Sequence, residues 1–166
     1  MGREILNPRW LQRLRHSRGF GVHSPFAFRF ITEVLNPPRG YRYYAEDTSR
    51  TDDERILARL KGFFAPAGIH FAGRRAEALR AKGEASTEIS EAELIVVDLA
   101  NGCPAAIQAR LERGGCVVLA FNHGRGRRLA PLLQTMTRGM SFINASSRAV
   151  IVADTRLPRQ DFRVRW

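Results

Sequence analysis

The stretch LIVVDL at residues 94–99 is the clearest strand in the sequence. It is continuous, apolar and β-branched, which is typical of a parallel strand covered on both faces. The stretch CVVLAF at residues 116–121 has the same character, and the shorter GIHFA at 68–72 predicts another buried strand. Together the three runs predict a parallel sheet in the middle of the chain.

Helical patterns alternate with these strands. A helical stretch at 74–82 follows Gly73, a second helix begins at Pro104 and ends before Gly114, and apolar positions within 129–136 mark a third. Residues 84–90 fit either a loop or a weak edge strand.

Two further short strands close the pattern, at 140–144 and 148–153, joined by a turn-rich spacer that favours an antiparallel hairpin. The order predicts an α/β fold, Rossmann-like, with a mostly parallel sheet, flanking helices and a C-terminal antiparallel hairpin.

Helix starts precede the sheet. Ser24 followed by Pro25 is a typical N-cap and first helical residue, and Thr51 followed by Glu54 fits a capping box. Asn7-Pro8 repeats the first signal and begins a short basic amphipathic helix. We therefore expect a single globular unit, in which residues 1–50 are an N-terminal helical extension packed on an α/β domain at 51–166.

The charge is strongly positive and unevenly distributed. The 166 residues have a net charge of +11, with +5 over 1–50, −2 over 51–100 and +8 over 101–166. This favours an anionic partner such as nucleic acid, although a general drift of composition toward arginine is an alternative. No apolar run is long enough for a membrane span, and residues 1–15 contain arginines where a signal peptide would be apolar, so a cytoplasmic protein without a membrane partner is expected.

The stretch RGFGVHSPFAFRFITEVL at 18–35 resembles the opening segment of bacterial class I S-adenosylmethionine (SAM) dependent methyltransferases. Residues 93–98 are similar to the family's fourth strand with its terminal acid, and 115–123 to its fifth strand and following loop. Residues 140–166, which close with LPRQDFRVRW, are similar to its hairpin and tail. The resemblance implies a truncated class I methyltransferase-like fold and SAM as the cofactor.

The sequence departs from this family where the cofactor would bind. In such enzymes the first strand ends in an acid followed by several glycines, and a second acid holds the ribose hydroxyls. Here the segment reads HFAGRR at 70–75, with a single glycine and no acid. The chain is thus interpreted as a shortened, divergent member that lacks the glycine-rich motif, with His70 and Gly73 left as candidate cofactor-binding residues.

Two polar residues are candidates for catalysis. Asp98 ends a strand, where α/β sheets usually bind ligands, and His123 lies in the loop after the next strand. The alternatives are that Asp98 caps the turn that follows it and that His123 is an ordinary solvated histidine. No His/Cys spacing indicates a metal site, and the two cysteines are expected to be reduced and packed.

Arginines at two positions could bind anions. Arg74 and Arg75 follow Gly73 at a predicted helix start. Arg125, Arg127 and Arg128 lie in the loop after the predicted strand at 116–121. Both groups are expected at the same edge of the sheet, and a solvated rim of charges is the alternative interpretation.

Three functions are compatible with these features. The main hypothesis is a SAM-dependent methyltransferase-like protein, degenerate, with weak or no cofactor binding. The alternatives are a basic module that binds RNA or DNA through phosphates and an active methyltransferase with an atypical pocket. Missing strands would leave an edge of the sheet open, and an open edge can pair with a second copy of the chain. A homodimer is therefore a further alternative.

Overall fold

The computed structural model describes residues 24–37, 51–102, 104–122, 128–144 and 147–166. The Asn7-Pro8 helix predicted near the start of the chain lies outside these residues, as do the candidate site residues His123, Arg125 and Arg127.

Six strands form one sheet. They are β1 (Ile69–Ala72), β2 (Leu94–Asp98), β3 (Cys116–Phe121), β4 (Met140–Asn144), β5 (Arg148–Ala153) and β6 (Gln160–Arg163). Their order across the sheet is β1-β2-β3-β5-β4-β6. The pairs β1–β2, β2–β3 and β4–β6 are parallel, whereas β5 is antiparallel to both of its neighbours. Consequently β5 begins at the edge where the other five strands end.

Five α-helices accompany the sheet in the described residues. They are α1 (Pro25–Phe30), which continues into a π-helical turn (Ile31–Leu35), α2 (Asp52–Phe64), α3 (Arg74–Ala78), α4 (Ala105–Arg113) and α5 (Ala130–Thr135). The Ser24 side chain accepts a hydrogen bond from the Ala27 N–H, and Thr51 and Glu54 form the expected capping box. Across these same parts of the chain, no helix has the length and apolar character needed to cross a membrane.

Alternate residues of the central strands point to opposite faces of the sheet, and both faces are buried. On one side Val96, Leu119 and Phe142 belong to a core cluster with the helices α1 and α2. The Phe30 ring of α1 lies 4.6 Å from that of Phe142 between centroids. On the other side Val97 and Ala120 belong to a second cluster that includes residues of α4 and α5. The part of the expected N-terminal extension that is described, 24–37, thus packs on the first face.

The predicted α/β class, with a mostly parallel sheet and an antiparallel hairpin, is confirmed. Two elements differ from expectation. The helix predicted at 74–82 ends at Ala78, and Gln160–Arg163 forms an edge strand where the sequence predicts only a tail. This strand is short and polar, so it lacks the apolar pattern by which the interior strands are predicted.

Residues 84–90 form a loop that covers the free side of β1. The Thr87 N–H donates to the Ile69 carbonyl at 2.8 Å, and the Phe71 N–H donates to the Ser86 hydroxyl at 3.1 Å. The Lys61 ammonium holds the start of this loop through Glu84 at 2.6 Å. Because the chain itself pairs with this edge, β1 is not the open edge on which the homodimer expectation depends.

Candidate functional site

The edge at which β1, β2 and β3 end is where parallel α/β sheets usually bind ligands. Gly73 and α3 follow β1 there, and Asp98 is the last residue of β2. Arg148 is the first residue of β5. It lies at the same edge because β5 runs antiparallel to β3, so that Arg148 pairs with Phe121, the last residue of β3. We call this the carboxyl edge and the other end of the sheet the amino edge.

Asp98 caps two adjoining turns. One carboxylate oxygen accepts a hydrogen bond from the Arg75 N–H at 3.1 Å, and the other accepts one from the Ala100 N–H at 3.0 Å. The first bond lies at the start of α3 and the second at the short 3-10 turn after β2. The capping alternative for this candidate catalytic residue therefore has a geometric basis.

Gly73 is required by the close approach of Asp98. Its φ angle is +92°, and a Cβ atom at this position would lie 2.8 Å from the Asp98 Cβ. Only glycine adopts such backbone geometry readily and leaves that space. His70, the second candidate for cofactor binding, has its Nδ1 atom 2.8 Å from the Thr87 carbonyl oxygen, in the loop that covers β1. Gly73 and His70 thus each have a close neighbour within the protein, Asp98 and Thr87 respectively.

Two arginines share one carboxylate at this edge. Nε and Nη2 of Arg75 donate to Oδ2 of Asp53 at 2.8 and 2.6 Å, and Nη1 of Arg148 donates to Oδ1 at 3.1 Å. Asp53 lies in the first turn of α2, which the Thr51 capping box begins. The guanidinium carbon of Arg75 also lies 4.4 Å from the centroid of the Phe121 ring, a favourable cation–π contact.

An open cleft of about 300 Å³ lies beside this cluster. Its lining consists of three neighbouring residues of the α2 start, one of α3 and two at the start of β5: Thr51, Asp52, Asp53, Arg75, Ser147 and Arg148. Asp52 accepts a hydrogen bond from Arg55 at 2.6 Å, and this bond lowers the pKa of the Asp52 carboxyl more than partial burial raises it. The charge of Arg148 lowers that pKa further.

Two other arginines of the sequence prediction also lie near the carboxyl edge. Arg74 is exposed at the start of α3. Arg128 donates from Nη1 to the carbonyl of Leu99, the residue after β2, at 2.8 Å. Arg74, Arg75 and Arg128 thus lie near one edge, whereas Arg125 and Arg127, the other members of the second group, lie outside the described residues.

Asp53 and Arg148 are not among the residues that the sequence predicts for the site. They are 95 positions apart, and neither belongs to a motif with a spacing rule. The capping box does place Asp53 in the first turn of a helix, but only the folded sheet brings Arg148 to it. The described residues contain no group of three His, Cys, Asp or Glu side chains able to hold a metal ion.

Comparisons with protein-family models, curated proteins and solved structures find no match to the chain.

Proposed function

We propose that the protein is a methyltransferase-like α/β protein that binds SAM weakly or not at all. The observation that carries this proposal is the contact between Gly73 and Asp98. The resemblance implies that the cofactor approaches the backbone after the first strand, where several glycines leave room for it. The single glycine at that point accommodates Asp98, whose oxygens are bonded to the N–H groups of Arg75 and Ala100.

The charge at the carboxyl edge supports the same proposal. The Arg75 guanidinium covers the ring of Phe121, the last residue of β3, and Arg148 lies on the other side of Asp53. SAM has a sulfonium cation, which two neighbouring guanidinium groups repel. The resemblance also implies an acid at the end of the first strand, where this chain has Ala72.

Isothermal titration calorimetry with SAM tests the proposal. We expect either no heat of binding or a heat that does not saturate below about 1 mM ligand. Saturable binding in the micromolar range would contradict it and favour the active methyltransferase with an atypical pocket. Gly73→Ala should then abolish the heat, whereas Gly83→Ala should not, because Gly83 also has a positive φ but no neighbouring atom within 4 Å.

Nucleic-acid binding through phosphates is a second candidate function. It is favoured by the net charge of +11 together with the arginines at the carboxyl edge, of which Arg74 is exposed and Arg75 and Arg148 border the cleft. Fluorescence anisotropy with a labelled single-stranded oligonucleotide should show binding at low salt. The logarithm of the binding constant should fall linearly with that of the salt concentration, by about 0.7 per neutralised phosphate. An uncharged oligonucleotide analogue is the control, and absence of binding at low salt would contradict this candidate.

A further inference from the structure

We propose that the cleft between Arg75 and Arg148 is a binding site for a phosphate group, either a free phosphoryl ligand or a phosphate of a nucleic-acid strand. The cleft would give the nucleic-acid candidate a local site for a phosphate, and the inference rests in part on that candidate. It does not depend on the proposal about SAM. Its basis is the arrangement of two guanidinium groups around Asp53.

The two guanidinium groups are preorganised. Asp53 bonds to both arginines, so their guanidinium groups are held close together before any ligand arrives. Arg75 is fixed further by its contact with the Phe121 ring. A ligand that binds between arginines held in this way loses less affinity to side-chain ordering than one that binds mobile surface arginines.

The cleft also has hydrogen-bond donors beyond those that Asp53 uses. A guanidinium has five N–H groups in a planar fork, and within the described part of the chain Asp53 accepts two from Arg75 and one from Arg148. The hydroxyls of Thr51 and Ser147 also line the cleft, but they donate to Glu54 and to the Asn144 carbonyl, so the donors left for a ligand are those of the two guanidinium groups. A phosphate has more oxygen acceptors than a carboxylate, so it can accept from both arginines while Asp53 keeps its own bonds.

The charge of the cluster favours an anion. Two arginines flank the single carboxylate of Asp53, so these three side chains together have a net positive charge. Asp52 is paired with Arg55, and the Glu54 carboxylate accepts from the N–H and the hydroxyl of Thr51. The side chains of Arg148 and Asp53 are only 14% and 16% exposed. Charges that are partly buried in this way are screened less by salt than those on an open surface. An anion in the cleft therefore experiences attraction that the exposed arginines of the chain do not provide.

The site is tested first on the unmodified protein. ¹⁵N-labelled protein is titrated in separate arms with inorganic phosphate, with a nucleoside 5′-monophosphate and with a single-stranded oligonucleotide, while the Arg75 Nε–H signal and the backbone amides are recorded. We expect saturable shifts at Asp53, Arg75 and Arg148 in the phosphate arm. Shifts that are absent, do not saturate or are spread over the whole surface would overturn the proposal.

Variants then locate the binding. Arg148→Gln and Arg75→Gln should each weaken phosphate binding by about tenfold, because each removes a charged donor. The matched control is Arg138→Gln, which removes the same charge at the amino edge, where Arg138 donates to the Thr155 carbonyl. It should change the affinity by less than about twofold. Equal effects of all three substitutions would contradict a local site.

Arg148→Lys is the alternative if Arg148→Gln does not fold. Lysine keeps the charge and can still pair with Asp53, but it lacks the planar fork, so the affinity for phosphate should fall below that of the unmodified protein, by less than about tenfold. An affinity equal to that of the unmodified protein would contradict the role assigned to the fork.

The arms also separate this proposal from the nucleic-acid candidate. Oligonucleotide binding that is insensitive to both glutamine variants, together with no saturable binding of phosphate, would overturn the cleft as the phosphate site and leave general nucleic-acid binding standing. Phosphate binding in the cleft without oligonucleotide binding would support the cleft, identify a small phosphorylated ligand as the source and contradict the nucleic-acid candidate.

Discussion

The arginines at the two edges of the sheet have different partners. At the amino edge, Arg110 donates to the carbonyls of Ala92, Gly114 and Gly115 at 3.1, 2.5 and 3.1 Å, and Arg113 donates to that of Ser90. At the carboxyl edge, two arginines share one carboxylate and border an open cleft.

The difference separates structural arginines from those available to a ligand. An arginine that donates to backbone carbonyls of its own chain satisfies their need for a hydrogen-bond donor, so it stabilises the fold. Arginines that share one carboxylate retain net positive charge and donors beside solvent. Arg128, which donates to the Leu99 carbonyl, belongs to the first kind although it lies at the carboxyl edge.

The largest expected effect is on stability at the amino edge. Arg110→Met removes the donor that three carbonyls share and should lower the free energy of unfolding by about 3 kcal/mol. Arg75→Met should cost only about 1 kcal/mol, because its pair with Asp53 is partly exposed. Urea denaturation of both variants measures the difference, and equal decreases would break the comparison between the edges.

The close approach at Gly73 should have the next largest effect. Gly73→Ala introduces a Cβ atom 2.8 Å from that of Asp98 at a φ angle of +92°, and it should cost about 2 kcal/mol. Gly83→Ala is the matched control, because its φ angle of +84° gives similar backbone strain without a neighbour within 4 Å. Thermal or urea unfolding compares the two variants. If they are equally stable, Asp98 does not approach Gly73 as closely as described.

The salt dependence of oligonucleotide binding sharpens the comparison at a smaller scale. The double variant Arg75→Gln/Arg148→Gln should reduce the slope of the logarithmic salt plot by about 0.7 for each phosphate that the protein no longer neutralises. Arg113→Gln/Arg138→Gln removes the same charge at the amino edge and should leave the slope nearly unchanged. Fluorescence anisotropy at several salt concentrations measures both slopes, and a similar reduction in the two variants would show that only total charge matters.

The smallest effect concerns the pKa of Asp52. The hydrogen bond from Arg55 is the main cause that lowers it, and the charge of Arg148 also contributes. Arg148→Gln should therefore raise this pKa slightly, and Arg138→Gln should not change it. The pKa of Asp52 is lower in the folded protein than in the unfolded one. Its contribution to the free energy of unfolding is therefore present at a pH above the unfolded-state pKa and is lost as the pH falls through the folded-state pKa. NMR titration of the side chain measures the shift, and its absence in Arg148→Gln would show that the charge of Arg148 does not act on Asp52 across the cleft.

Much of the fold could be predicted because its strongest signals are local. The continuous apolar runs at 94–98 and 116–121 form the central strands, and the side chains of Ser24 and Thr51 cap the helices they precede. These features depend on residues within a few positions of one another. The edge strand Gln160–Arg163 could not be predicted in this way, because its register comes from pairing with β4 and not from its own apolar pattern.

The candidate site was predictable only in part. Arg75 and Asp98 stand out because each follows or ends a predicted strand, so the topology alone brings them to one edge. Their mutual hydrogen bond and the pair between Asp53 and Arg148 depend on tertiary packing over 23 and 95 positions. No local pattern in a single sequence indicates such pairs.

A crystal structure of the protein grown with both SAM and a nucleoside 5′-monophosphate tests most directly how the carboxyl edge is used. The result expected is a phosphate group between the guanidinium groups of Arg75 and Arg148, with no adenosyl group against Gly73. An adenosyl group lodged against Gly73, with Asp98 displaced from the N–H of Arg75, would contradict this account of the protein.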